Sequence, residues 1–297
     1  MKFLPLFYCF LFFIPLSAQP DLTNIKCVDS LREDYIKTVQ FNRINEPLSM
    51  PIIFLNSNEV LRISFDDTYG EYIDYYYTIR HCDKDWNLSS NLEYSEYIEG
   101  PDFIEVENFA SSVNTAANYT NYSFTFPNRD INFRYSGNYM LYIYDIDDRV
   151  VLTRRFYVVE NMVDLDIRYI EPMKSEHLKT HQAFQIELDL RSLDALNPVE
   201  DIFVQVFQNK MNERLSSMIQ PQFIRNNKAV FNFQDQISFP GYKEYRFFDI
   251  RGLENAGLGV NAIEITDEYA YVLLNLDKNR KYKPYYNRVE ANGNFVI

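Results

Sequence analysis

Short stretches of alternating apolar and polar residues recur along the first half of the chain. Leu61, Ile63 and Phe65 are apolar, for example, and the two residues between them are polar. A period of two residues places apolar side chains on one face of a β-strand and polar side chains on the other. The strands predicted in this way cover residues 51–55, 61–65, 75–79, 122–126, 139–144 and 151–159.

Turn-forming residues separate these predicted strands. They lie at residues 56–58, 66–67, 100–101, 127–128 and 136–138. Because short strands joined by such turns are typical of antiparallel sandwiches, we predict a first β-sandwich domain over residues 34–160. The turn at residues 145–149 predicts a hairpin between the last two strands of this domain.

A second set of strand patterns follows the first domain. Phe184, Ile186 and Leu188 again alternate with polar residues, and further strands are predicted at 202–207, 229–233 and 245–250. These segments predict a second β-sandwich over residues 161–256. Residues 257–297 contain a strand-like run at 269–274 and are predicted to begin a third, incomplete domain. The predicted fold class is all-β, with tandem antiparallel β-sandwich domains of immunoglobulin or fibronectin type.

The N-terminus has the organisation of an export signal. Lys2 supplies a basic start, residues 3–16 form an apolar run, and Ser17 and Ala18 suit a signal peptidase. A run of about 14 residues matches a secretory signal and is too short to span ~30 Å of hydrocarbon. We therefore predict a signal peptide at residues 1–18, cleaved after Ala18, and an N-terminal tail at residues 19–33.

The predicted signal peptide decides which cysteines remain in the mature protein. Cys9 leaves with the signal, and Cys27 and Cys82 remain. In an oxidising compartment these two can form a disulfide or stay separate thiols, and separate thiols are the favoured interpretation because Cys27 lies in a polar tail. Neither residue has a CxxC partner, which argues against a structural zinc site.

Composition and charge narrow the classes of partner. The chain has 29 Lys and Arg residues against 42 Asp and Glu residues, for a formal net charge of −13. Nucleic acid and anionic lipid attract basic surfaces, so both are disfavoured as partners. Aromatic residues make up 16% of the chain, which predicts an ordered protein. No apolar run after the signal approaches the length of a membrane span, so no membrane insertion is predicted.

Patterns for catalysis are weak. His81 and Cys82 are adjacent on a predicted strand, so their side chains point to opposite faces and do not form a dyad. His177 and His181 have the spacing of a helical metal pair, but the glutamate of an HExxH motif is missing. No catalytic residue, cofactor or enzymatic activity is predicted.

Acidic turns at residues 66–67, 83–85 and 145–148 leave calcium as an open alternative. Calcium binding needs several oxygen ligands that converge on one point. We interpret these carboxylates as exposed turns on an acidic protein, and no metal ligand is predicted.

Tyrosine-rich stretches admit three roles: core rings with one polar edge, sugar-stacking platforms, or anchors for a protein partner. They lie at residues 72–77, 94–97 and 282–286. Core packing is the favoured role. In the loop at residues 87–100, however, Tyr94 and Tyr97 stand among polar residues, so both are predicted to contact a partner. Trp86, which precedes this loop, is interpreted as a core residue.

Longer motifs keep a common order and spacing over residues 34–255. They lie at residues 36–41, 47–53, 63–67, 74–86, 124–128, 136–139, 152–156, 180–182, 239–241 and 245–251. In these motifs the chain resembles the plug proteins of the type IX secretion system of Bacteroidota, and the HCDxDW block at residues 81–86 is specific. The motif residues, interpreted as structural, are Asp66, Asp67, Tyr76, His81, Cys82, Asp83, Asp85, Trp86, Arg154, Arg155, His181, Arg246 and Asp249.

The resemblance implies a periplasmic protein, associated with the outer membrane, that closes the periplasmic side of a giant outer-membrane β-barrel translocon. It implies this barrel as the partner and no enzymatic activity. Family members continue beyond the last residue of this chain, so a C-terminal part is expected to be missing. A periplasmic or surface carbohydrate-binding module is the alternative, because β-sandwiches with tyrosine clusters also suit glycans.

Overall fold

The structure is a computed structural model of the chain. It describes residues 27–178, 181–208, 217–232, 236–240, 248, 255–257, 259–266 and 269–276. The chain divides into two compact units, the first unit at Met1–Glu160 and the second unit at Asn161–Ile297. The predicted signal peptide lies outside the described residues, and the predicted domain bounds remain predictions.

The first unit consists of strands and one short helix. The strands are β1 (Ser30–Leu31), β2 (Ile36–Arg43), β3 (Ile52–Phe54), β4 (Leu61–Asp67), β5 (Tyr76–Cys82), β6 (Ile98–Glu99), β7 (Ile104–Glu105), β8 (Phe109–Ser111), β9 (Thr120–Phe126), β10 (Asn132–Phe133), β11 (Gly137–Tyr144) and β12 (Val150–Val159). The helix α1 (Tyr94–Tyr97) is a single turn between β5 and β6.

Two sheets form the first unit. One has the strand order β1-β12-β11-β5-β7, with β3 added to β12, and the other has the order β2-β4-β9-β8. The strand β3 runs parallel to β12, whereas the other ladders of these sheets are antiparallel. A separate small ladder joins β6 to β10.

The main core lies between these two sheets. The apolar residues of β4 that alternate in the sequence, Leu61, Ile63 and Phe65, are fully buried. They share one cluster with residues of the facing sheet such as Leu141 and Phe156. Because both sheets bury one face in the same cluster, the first unit is a β-sandwich, as the alternation predicts.

Aromatic rings fill one end of this core. The ring of Phe156 lies 5.2 Å from that of Phe126, 5.3 Å from that of Tyr139 and 5.7 Å from that of Phe133, measured between centroids. Phe41 reaches the same ring from the facing sheet, at 5.9 Å. Such offset and edge-on pairs add to the stabilisation that apolar burial already supplies.

The central strand β11 is buried on both faces. Met140, Tyr142 and Tyr144 are fully buried although they face away from the main core. Together with Cys27 and Cys82 they form a second cluster, named here the outer cluster. Its cover includes Trp86 and Leu88 from the segment after β5.

The hairpin predicted between the last two strands of the first unit is confirmed. β11 and β12 pair antiparallel on either side of a turn that Asp145 closes. Its carboxylate accepts hydrogen bonds from the backbone N–H groups of Asp147 and Arg149, both at 3.0 Å. The Arg149 side chain pairs with the same carboxylate at 2.8 Å.

The described strands of the second unit form a sheet and a hairpin. They are β13 (Leu165–Ile170), β14 (His181–Asp189), β15 (Phe223–Arg225), β16 (Lys228–Phe231), β17 (Ser238–Pro240), β18 (Val260–Ile265) and β19 (Ala270–Leu274). The sheet has the order β13-β14-β16-β15 with β17 added to β14, and β18 pairs with β19. A short helix, α2 (Pro198–Asp201), lies between β14 and β15.

One strand prediction in this unit is wrong. Residues 202–207 form no continuous strand; they contain isolated bridges at Val204, which pairs with Ile219, and at Phe207. Ile202 and Val206 nevertheless pack on the core of this unit beside Ile186 and Phe231. The apolar pattern of this segment therefore reflects packing against the core and does not indicate a continuous strand.

The all-β fold class is confirmed by these sheets. The strand predicted at residues 245–250 lies outside the described residues, apart from the single residue Phe248. No helix within the described ranges is long and apolar enough to cross a membrane.

Candidate functional site

The sequence motif at residues 81–86 forms the end of β5 and a tight turn. The Asp83 carboxylate accepts hydrogen bonds from the backbone N–H groups of Asp85 at 2.9 Å and of Asn87 at 2.8 Å. Burial raises the pKa of Asp83, but the hydrogen bonds from Asn87 and Asp85 outweigh burial and lower that pKa. Trp86 takes a left-handed φ of 65° in this turn. The aspartate thus fixes the turn that presents Trp86.

Trp86 connects this turn to β12. The Arg155 guanidinium lies over the indole, 4.2 Å from the ring centroid, and the Tyr157 ring meets the indole edge-on at 5.4 Å. Trp86 is half-buried and packs on the outer cluster. Trp86, predicted as a core residue, therefore lies in a layer that covers the outer face of the sheet, and a cation–π contact helps to hold it there.

Arg155 also holds the segment before β2, named here the N-terminal arm (residues 27–32). Its Nε donates to the carbonyl of Cys27 at 2.7 Å, and its backbone N–H donates to the Asp29 carboxylate at 2.6 Å. Arg154 donates to the carbonyl of Ser30 at 3.2 Å. Burial lowers the pKa of Arg154. The two motif arginines therefore position the arm along β12.

His81 lies on the opposite face of β5 from Cys82, as its position on a strand predicts. Its Nδ1 is 2.7 Å from the Ser89 hydroxyl, and its ring meets that of Tyr139 edge-on at 5.1 Å. Burial lowers the pKa of His81. A Cβ at Gly137 would lie 2.4 Å from Nε2 of His81, so the glycine makes room for the imidazole. His81 thus has a structural environment and no thiol beside it.

Arg80 and Asp102 form an ion pair beneath the loop at residues 87–100. Nη2 of Arg80 donates to Oδ2 of Asp102 at 3.0 Å, and a second bond joins Nη1 to Oδ1. Burial lowers the pKa of Arg80, but the hydrogen bond and charge of Asp102 outweigh burial and raise it. Tyr94 covers the pair, with its ring centroid 5.3 Å from the guanidinium carbon.

The structure places the two tyrosines that are predicted to contact a partner in different environments, and Tyr97 lies inside. This side chain is only 4% exposed and belongs to the main core. Tyr94 is half-buried, and its hydroxyl donates to the carbonyl of Pro101 at 2.8 Å. A capping box between Glu93 and Glu96 closes the single turn of α1, and Tyr97, the last residue of this turn, is buried. The partner contact itself remains a prediction.

Three other motif residues lie elsewhere in the first unit. The carboxylate of Asp67 accepts a hydrogen bond from the Tyr75 hydroxyl at 2.8 Å, and that of Asp66 accepts one from the Asn121 amide at 2.7 Å. The ring of Tyr76 stacks on Phe103 at 5.1 Å. Because Tyr75 immediately precedes β5, Asp67 lies at the end of the sandwich opposite Cys82. The sequence motifs therefore mark two separate places.

The remaining motif residues are Asp85 in the first unit and His181, Arg246 and Asp249 in the second. Asp85 pairs with Lys84 at 2.5 Å on the surface. His181, at the start of β14, stacks on His177 with 3.8 Å between ring centroids. Arg246 and Asp249 lie outside the described residues.

No metal site forms among the described residues. There, no three His, Cys, Asp or Glu side chains come together in a way that could hold an ion. The acidic turns use their carboxylates internally, since Asp83 binds backbone N–H groups and Asp145 binds Arg149. The calcium alternative gains no support from these turns.

A cleft of about 560 Å³ opens beside the rings of Tyr77 and Phe124, which stack at 4.0 Å. Its lining includes Glu105 and Asp130. Tyr77 exposes only 2% of its surface, so its ring face is not open to a sugar. The cleft therefore offers little support for the carbohydrate-binding alternative.

Comparison with known proteins shows which proteins the chain is similar to. Residues 36–160 match the family model described as type 9 secretion system plug protein 1st domain. The first unit thus carries a domain similar to the first domain of the plug proteins, and this match covers less than half of the chain. A crystal structure of a hypothetical protein from Parabacteroides merdae ATCC 43184 is similar, with a TM-score of 0.71 and 25% identity over 90% of this chain and 71% of the other. No curated protein matches the chain.

The plug-family domain contains every motif residue that the sequence places in the first unit. The match links this domain to type IX secretion, a transport process. The N-terminal arm precedes the matched residues 36–160, yet it is bonded to Arg154 and Arg155 inside them. The sequence does not predict this link, and it does not predict Asp102 as the partner of Arg80. A lone acidic residue 22 positions away carries no sequence signal of such a pairing.

Proposed function

We propose that this protein is a non-enzymatic plug, which closes the periplasmic side of the giant outer-membrane β-barrel of type IX secretion in its resting state. The observation that carries the proposal is the match of residues 36–160 to the first domain of the plug proteins. The plug acts by occupying space, so its requirement is a rigid body rather than a set of reactive groups.

The first unit has the construction that steric closure needs. Its central strand β11 is buried on both faces, so the sandwich carries an additional packed layer beyond its two sheets. Close-packed interiors of this kind deform little under load. A rigid body of this sort resists being drawn through a pore.

The loop at residues 87–100 is the surface that we assign to the barrel contact. Several bonds fix it: Ser89 to His81, Tyr94 to Pro101, and the backbone pairing of β6 with β10. A Cβ at Gly100 would lie 2.1 Å from the backbone oxygen of Asp130, so a glycine is needed where the loop closes. A loop ordered in advance loses little conformational entropy on binding.

The proposal also places the protein in the periplasm, at the outer membrane. The basic start and the apolar run at residues 3–16 support export by a signal peptide. The net charge of −13 supports a protein partner rather than anionic lipid.

A tagged pull-down from detergent-solubilised outer membranes tests the proposal, with partners identified by mass spectrometry. We expect a very large barrel protein to co-purify, and recovery of the chain alone would contradict the proposal. The variant Tyr94→Ala should weaken this association at least about fivefold, because partly buried aromatic anchors dominate interface energetics.

The matched control for this variant is Tyr69→Ala. Tyr69 is 64% exposed and follows Asp67, at the end of the sandwich opposite the loop. Barrel recovery should stay at the unmodified level in this control. If Tyr94→Ala and Tyr69→Ala reduced barrel recovery equally, the barrel contact could not be assigned to residues 87–100.

A further inference from the structure

We propose that Cys27 and Cys82 form an intramolecular disulfide in the exported protein, which fastens the N-terminal arm to the first sandwich. The oxidising location is part of the proposed function, whereas the pairing of the two residues stands on their geometry alone. Such a bond would link the N-terminal arm to β5 covalently, inside the outer cluster.

The two thiols meet inside the outer cluster. Cys27 is 7% exposed and Cys82 is 1% exposed, and both are free cysteines. Both side chains pack in this one small cluster, where each perturbs the pKa of the other, and Sγ of Cys27 lies 3.3 Å from the hydroxyl of Tyr142. Two thiols that share one buried cluster in this way can form a bond with little movement of the backbone.

The arm holds Cys27 in this place through bonds that do not involve sulfur. Ser30 pairs with Thr153 across the ladder of β1 and β12, and the Thr153 hydroxyl donates to the carbonyl of Val28 at 2.7 Å. Arg155 holds Asp29 and the carbonyl of Cys27 itself. The pairing geometry is therefore imposed by the fold before any oxidation occurs.

The local environment suits Cys27 as the attacking sulfur. The hydrogen bond with Cys82 lowers the pKa of Cys27 to about 6 against the effect of burial, with further help from Tyr142 and the charge of Arg155. The hydrogen bond with Cys27 and burial raise the pKa of Cys82. Thiolate character, together with the slightly greater exposure of Cys27, makes it the first to react.

Oxidation then proceeds by exchange with a disulfide-bearing oxidant, such as oxidised glutathione or a thiol oxidoreductase. The Cys27 thiolate attacks one sulfur of the oxidant, forms a mixed disulfide and releases one thiol. The Cys82 thiolate attacks the Cys27 sulfur and releases the second thiol. The two cysteines lose two electrons, the oxidant gains them, and the two thiol protons leave with the released thiols.

Non-reducing peptide mapping of the exported protein, with free thiols alkylated before digestion, tests the bond directly. We expect the peptides that contain Cys27 and Cys82 to be recovered as one linked species, which separates after reduction. Alkylation of both residues without prior reduction would overturn the proposal. This readout is independent of whether a barrel co-purifies, so it separates the failure of this proposal from failure of the plug function.

Thermal unfolding provides a second readout on the same protein. The bond closes a loop of about 55 residues, so adding reductant should lower the Tm of the first unit by about 10 °C. The variants Cys27→Ala and Cys82→Ala, and the double variant, should show no response to reductant. A Tm of the unmodified protein that reductant leaves unchanged would overturn the proposal.

Discussion

Replacing Phe156 with alanine is expected to destabilise the first unit by about 4 kcal/mol. The side chain is fully buried and its ring contacts four other aromatic rings, so its removal leaves a cavity that rigid neighbours do not fill. Urea unfolding followed by tryptophan fluorescence measures this change. Trp86 is the single tryptophan of the chain and lies in the first unit, so the signal reports this unit.

The matched control is Phe54→Ala on the edge strand β3. This phenylalanine is 42% exposed, so the same truncation should cost less than about 1 kcal/mol. Equal losses at Phe54 and Phe156 would mean that the ring cluster between the two sheets does not carry the stability assigned to it.

Replacing Asp67 with alanine is expected to cost about 3 kcal/mol. Asp67 is fully buried, and its carboxylate accepts hydrogen bonds from the Tyr75 hydroxyl and from the backbone N–H of Tyr69, both at 2.8 Å. Alanine would leave both donors without this acceptor, and the Tyr75 hydroxyl is buried, so the loss is large there. Burial and the bond to Asp67 raise the pKa of Tyr75, so its phenol stays protonated and able to donate.

A double-mutant cycle with Tyr75→Phe isolates this bond. We expect a coupling of at least about 1 kcal/mol between the two positions, because each single variant strands the other partner. The neighbour Asp66 offers a control: its carboxylate binds the Asn121 amide in a half-buried place, so Asp66→Ala should cost less. Additive losses at Asp67 and Tyr75 would contradict the pairing.

Local patterns predicted six strands of the first unit, which are β3, β4, β5, β9, β11 and β12, and missed β2 and five shorter strands. Where a pattern alternates, one face of the strand is buried and the other is not. Leu61, Ile63 and Phe65 show this alternation, and all three are in the core. In β11 the alternation is absent, and such a run is compatible with burial on both faces. The residues that cover the second face of β11 cannot be predicted from local sequence, because they come from distant parts of the chain. Cys27 and Tyr142, which meet on this face, are 115 residues apart.

Two side-chain positions that the local sequence does not show have the same origin. Tyr97 stands among polar residues, yet it lies in the core at the end of the helix α1. Ile202 and Val206 have a strand-like pattern, yet their segment contains isolated bridges rather than a continuous strand, and both side chains pack on the core of the second unit. In both cases the packing partner, rather than the local sequence, decides the orientation of the side chain.

The motif residues could be found from the sequence, but their roles could not. Asp83 fixes a turn, Arg155 holds the arm, and His81 fills a space made by Gly137. Each role depends on a neighbour brought close by the sheet register. The family resemblance therefore predicted a link to type IX secretion, whereas the physical role of each motif residue became visible only in the folded structure.

Closure of a pore is the central claim, and electrical conductance measures it most directly. The translocon barrel, stripped of bound proteins and reconstituted in a planar bilayer, should pass a large ionic current. Addition of this protein to the periplasmic side should reduce that current in a saturable manner, and washing the protein away should restore it. A current that stays at its full value while the protein is bound to the barrel would contradict the account.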